Sequence, residues 1–137
     1  MTTPLIVPNL YPVSPDAITE LEKSATVPDE LRDFWLTHGH GFFVEDVNGN
    51  LVDPDIANRL IPPDEVLDLL KNAADLAEEF VHGIPFFERN DRRYLLISPT
   101  GKIVSAEVEL RDVANSFEEF MERIVREPTF YDSDIDD

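Results

Sequence analysis

Apolar positions along this chain switch between two spacings, and proline, glycine and capping residues mark the switch points. Ile18, Leu21 and Ala25 recur at helical intervals behind Ser14-Pro15-Asp16. That triplet supplies a serine N-cap, a proline in the first turn and an acid at the positive end of the dipole. A helix over 16–24 is expected. Thr26-Val27-Pro28-Asp29-Glu30 repeats the grammar, and Leu31, Phe34, Trp35 and His38 follow at i, i+3, i+4 and i+7. They form one face of a second helix over 28–38, which Gly39 ends. Asn48-Gly49 then stands between two apolar runs. Both residues tolerate positive φ, so the pair predicts a tight hairpin of strands 42–47 and 50–53, closed by Pro54. Asn58-Arg59-Leu60-Ile61 is a short connector with room for a brief strand.

Pro62-Pro63-Asp64 opens a third helix over 63–80. Its apolar positions, from Val66 and Leu67 to Leu76 and Phe80, cover more than one face. The helix is therefore deeply packed or broken near Asn72. The following residues read as a meander: strands at 84–88 and 93–98 around Asn90-Asp91, then Pro99-Thr100-Gly101 and a strand at 102–108 whose side chains alternate. Ser116 with Glu119 three residues later is a capping box for a last helix over 116–126, and Pro128 stops it. The expected core is Trp35, Phe34, Leu70, Phe86, Leu96, Val104, Phe117 and Phe120. Segregated helices and antiparallel strands define an α+β fold, one largely antiparallel or mixed sheet flanked by about four helices. Residues 1–15 contain Pro4, Pro8, Pro12 and Pro15, which exclude a helix and predict an extended arm on the body. Residues 16–127 form the single domain, and 128–137 an acidic tail.

Composition narrows the function. The 137 residues are 42% hydrophobic, enough for a core in one domain. There is no cysteine, which removes disulfides, thiolate metal sites and thiol nucleophiles. No apolar run approaches the roughly 20 residues of a membrane span, and residues 1–15 carry no base, so a secretory leader is not expected. A cytoplasmic location follows as the expectation. Against 29 acids stand 11 bases, a net charge of −18, which opposes nucleic-acid binding. Solubility or a salty cytoplasm, a basic protein partner and a metal site would each use such charge. No EF-hand loop is present, and Asp132-Ser133-Asp134-Ile135-Asp136-Asp137 lacks a turn glycine.

Catalytic chemistry finds little support. His38-Gly39-His40 places two imidazoles at i, i+2 without a third ligand, and His38 suits a helix end through the dipole. No nucleophile elbow and no glycine-rich phosphate loop is present. Neither a catalytic centre, a cofactor nor a metal is expected. Arg89, Arg92 and Arg93 form the one basic cluster, read as a solvated hairpin tip.

The order of motifs resembles the SUKH superfamily, which includes fungal cell-wall regulatory proteins and bacterial immunity proteins of polymorphic toxin systems. Val27-Pro28-Asp29-Glu30-Leu31-Arg32-Asp33-Phe34-Trp35 is similar to its second helix, and Leu60-Ile61-Pro62-Pro63-Asp64-Glu65-Val66 to the entry into its middle helix. Ile84-Pro85-Phe86-Phe87, Tyr94-Leu95-Leu96-Ile97 and Thr100-Gly101-Lys102-Ile103 resemble its central strands, and Ser116-Phe117-Glu118-Glu119-Phe120 its terminal helix. His38 or His40 replaces the usual asparagine of the helix-ending turn. Glu88-Arg89-Asn90-Asp91-Arg92-Arg93 replaces a glycine- and aspartate-rich loop. The resemblance implies a helix-flanked sheet that binds protein rather than catalyses, most often a cognate toxin, frequently a nuclease. The expected function is an immunity protein that occludes a basic toxin domain with an acidic surface. The alternative is a non-toxin adaptor on the same fold. Expected partner-binding acids are Glu45, Asp46, Asp53 and Asp55 at the first hairpin, and Asp75, Glu78 and Glu79 on the third helix.

Overall fold

The computed structural model describes residues 5–52, 58–89, 93–106, 109–127 and 130–131. Among them an eight-stranded antiparallel sheet is interleaved with five α-helices in an α+β domain. Strand β1 (Leu5–Tyr11) leads into α1 (Pro15–Glu22) and α2 (Asp29–Thr37), followed by β2 (His40–Val47), β3 (Asn50–Val52) and β4 (Arg59–Leu60). Next come α3 (Pro63–Asn72), a 3₁₀ turn (Ala74–Leu76) and α4 (Ala77–Phe80). Strands β5 (Ile84–Arg89), β6 (Arg93–Ile97), β7 (Ile103–Ser105) and β8 (Arg111–Ala114) precede α5 (Phe117–Arg126). The sheet order is β1-β2-β4-β5-β6-β7-β8, with β3 paired to the far end of β2. Helix α5 packs against both edge strands, β1 and β8, so the twisted sheet curls around it.

Local chemistry accounts for most boundaries. Ser116 Oγ accepts from the Glu119 amide at 3.1 Å, and the Glu119 carboxylate reaches back to the Asn115 amide at 3.2 Å. Ser14 holds the N-cap position of α1, but its side chain makes no capping bond. Asn48 and Gly49 adopt φ of 55° and 88°, as the hairpin requires. Gly39 turns the chain from α2 into β2 at φ 101°, and a Cβ there would lie 1.9 Å from the Tyr11 carbonyl oxygen. Glycine at this point therefore serves both the turn and the passage of β1 alongside.

The third helix differs from a continuous 63–80 element. It breaks at Ala73, whose φ/ψ of −91°/68° lies outside the helical region. Beyond the break the half-buried Phe80 meets Tyr94 edge-on at 6.2 Å. Strand β7 is shorter than 102–108, and residues 107–108 lie outside the described ones. Strand β8 is an addition to the expected elements. Phe34 and Leu70 are half-buried at the rim of the core rather than within it, while the other six expected core residues are buried.

The core centres on β5. A regular strand would point Phe86 and Phe87 to opposite faces, yet both are fully buried in one cluster. A register shift between Pro85 and Phe87 produces this, and Pro85 sits where a missing amide is tolerated. Phe86 and Phe87 both meet the Phe120 ring edge-on, at 5.2 and 5.0 Å. Trp35 donates its indole N–H to the Ile61 carbonyl at 3.2 Å, which anchors α2 to the chain entering α3.

Candidate functional site

The acids expected to bind a partner fall into three situations. Asp53 and Asp55 lie outside the described residues. Glu45 and Asp46 are half-buried on β2, and the Asp46 carboxylate accepts from the Gly49 amide at 2.8 Å, which ties it into the hairpin turn. Asp75 is exposed on the 3₁₀ turn, with Glu78 exposed and Glu79 half-buried on α4. Asp75 and Glu79 are already engaged in other interactions, while among the described residues Glu45 and Glu78 are not. The hairpin also exposes Val47, Leu51 and Val52, so its surface is mixed apolar and acidic.

A second acidic surface lies outside the acids expected to bind a partner. Helices α2 and α5 pack side by side and leave a groove of about 540 Å³. Phe34, Phe117 and Met121 form its floor, and Glu30, Asp33, Glu118 and Glu122 its rim. Phe34 and Phe117 meet at 5.0 Å with their rings tilted, and His38 caps one end with its ring 4.8 Å from Phe34. The sequence signal is an acid pair beside an aromatic on each helix, Glu30/Asp33 with Phe34 and Glu118/Glu122 with Phe117. Only the fold shows that the two stripes face one another.

The basic residues are largely committed elsewhere. Arg59, paired across the strands to Phe42 and Glu88, bonds Glu65 of α3 through Nη1 at 2.8 Å and Glu88 through Nε at 3.0 Å. Its Nη2 touches both carboxylates. Hydrogen bonding to Glu65, with a further contribution from Glu88, outweighs burial and raises the Arg59 pKa above its ordinary value. The guanidinium therefore stays charged and ties α3 to the sheet. Arg89 and Arg93 are half-buried opposite one another, not a solvated tip, and Arg89 lies 6.0 Å over the Tyr131 ring. Residues 90–92 of that hairpin are outside the described ones.

Among the described residues no group of three or more His, Asp or Glu side chains could hold a metal. No helix among them is long and apolar enough to cross a membrane. His40 is half-buried, with its ring 6.3 Å from Tyr11 rather than facing a ligand set.

An α+β domain with a helix-flanked antiparallel sheet and acid-rimmed surfaces defines the class. The SMI1 / KNR4 family (SUKH-1) matches residues 12–123, and the chain belongs to that family. This membership supports a SUKH-type immunity protein in general, within a family of generally non-catalytic members. No curated protein and no solved structure matches the chain.

Proposed function

We propose that this chain is a cytoplasmic immunity protein that binds a cognate polymorphic toxin domain, a basic nuclease-type effector, and blocks it by occlusion. The observation that carries the reading is the excess of 18 negative charges on a fold of this family. A nuclease must concentrate positive charge to hold phosphates. An acidic surface steered into that cleft competes for the same charges and excludes substrate without chemistry of its own.

The contacts of this reading are the first-hairpin acids Glu45, Asp46, Asp53 and Asp55 and the second patch Asp75, Glu78 and Glu79. Glu45 and Glu78 are the better candidates, because their carboxylates are not committed within the described fold. The test is co-expression with the toxin domain encoded beside this chain, scored by growth and by complex formation. Protection should accompany a complex whose association rate falls about tenfold or more between 10 and 150 mM salt. Lysine at Glu45, Asp53 and Asp55 should weaken protection while the protein stays folded. A chain that neither protects nor forms a complex would overturn the reading.

A further inference from the structure

From the groove between α2 and α5 we infer a docking site for a cationic amphipathic helix of the partner, with arginines or lysines flanking an aliphatic side chain. The inference rests on the proposed immunity reading for the partner's identity, but its geometry is independent of that reading. Phe34 and Met121 are half-buried side chains on the groove floor, and a volume of about 540 Å³ falls in the roughly 300–1,000 Å³ range of pockets that hold specific ligands.

Four carboxylates rim this floor. Among the described residues none of the four side chains is held by a hydrogen bond or an ion pair. The bases of the two helices point to other work. Arg32 bonds Glu22 and Asp29, Arg123 lies 4.2 Å over the Phe130 ring, and Arg126 donates to the Glu122 backbone carbonyl.

Helix capping accounts for only half of the rim. Glu30 and Glu118 stand in first turns, where the dipole favours an acid. Asp33 and Glu122 do not. They add like-charge pairs at i,i+3 and i,i+4, a spacing that destabilises a helix. Four carboxylates without an ion-pair partner around an apolar floor suit an external cation whose aliphatic stem lies on Phe34 and Met121. A second copy of this chain is a poor occupant, because it brings another 18 negative charges.

The variant D33N/E122Q separates binding from folding, since it removes both unexplained charges and leaves the first-turn acids. Its melting temperature should equal or exceed that of the parent. Two arms use it. In the first, the parent and variant are titrated with the toxin domain encoded beside the chain, and the variant should bind about five- to thirtyfold more weakly. In the second, the ¹⁵N-labelled protein is titrated with an amphipathic leucine–arginine peptide and with its leucine–glutamate counterpart. The arginine peptide alone should shift the amides of Phe34, Thr37, His38 and Met121.

A parent that binds the toxin domain no better than the variant overturns the groove inference and leaves the immunity reading intact. A parent that binds no toxin domain, while the arginine peptide shifts those four amides, supports the groove and overturns the immunity reading. Peptide shifts confined to β2–β3 or α4 overturn the groove. So does a dimer in sedimentation that D33N/E122Q strengthens, since the occupant would then be a second copy.

Discussion

Replacing Arg59 by methionine tests how much of this acidic domain is held by a single base. The side chain is 19% exposed, as is Glu88, and Glu65 is 34% exposed. Exposed pairs contribute about 0.2–1 kcal/mol, whereas breaking a fully buried pair costs about 3–5 kcal/mol. Arg59 lies between these limits and serves two carboxylates, so Arg59→Met should cost about 2–3 kcal/mol. For a chain of this length that lowers Tm by about 6–12 °C. Methionine keeps an unbranched apolar chain at the site and removes the guanidinium, including its approach to the Phe42 ring at 5.9 Å. A double-mutant cycle with Glu88→Gln should show a coupling of about 1–2 kcal/mol. The raised Arg59 pKa contributes stability below the ordinary arginine value, which covers every accessible pH. The loss should therefore be the same from pH 6 to pH 9. Denaturant unfolding of the four proteins checks these numbers. A cost below about 0.5 kcal/mol, or a coupling within about 0.3 kcal/mol of zero, would refute the assignment of Arg59 as the tie between sheet and α3.

Gly83→Ala places a Cβ 2.4 Å from the Ile97 carbonyl oxygen, a backbone atom that cannot swing away. Thermal melts should show a loss of about 1–3 kcal/mol. Ser116→Ala removes the cap of α5 and should cost about 1 kcal/mol by the same measurement, with Ser116→Asp largely restoring it. Tyr131→Phe deletes the hydroxyl that donates to the buried Asn58 Oδ1 at 2.6 Å. It should cost about 1–2 kcal/mol in urea unfolding and leave the m-value unchanged.

Features fixed by neighbouring residues are legible in the sequence. The starts of α2 and α5 and the Asn48-Gly49 turn depend on capping and φ preferences within four or five residues. Strand β8 is not legible, because Arg-Asp-Val-Ala has no period of its own and is extended only through pairing with β7. The bulge that turns Phe86 and Phe87 to the same side is equally silent, since an apolar run of that length reads as a regular buried strand. The proline-rich start predicts extended backbone. Its pairing with β2 depends on Gly39 and Gly41, about thirty residues later, leaving room for it.

The candidate surface is harder to read, for a related reason. Acids are easy to count and hard to sort, because their partners are distant in the chain. Asp46 has the sequence context of a free acid and is absorbed by its own turn. Asp33 and Glu122 each stand near an aromatic of their own helix, but that they face one groove from helices far apart in sequence is visible only in the fold.

The bond between Asn58 and Tyr131 has a consequence in time. Seventy-three residues separate the partners, and Asn58 is 1% exposed in the finished fold. A ribosome adding about 5–20 residues per second takes about 4–15 s to cover that interval. Throughout it, Asn58 has been made but the tyrosine that donates to its side chain has not. Nascent chains shorter than residue 131 should therefore lack this bond at Asn58 and be more sensitive to protease than the finished chain. For a protein proposed to guard its own cell, readiness would be set by the completion of synthesis and not by its beginning. A toxin released faster than these last residues emerge would meet no functional inhibitor among the chains still being made.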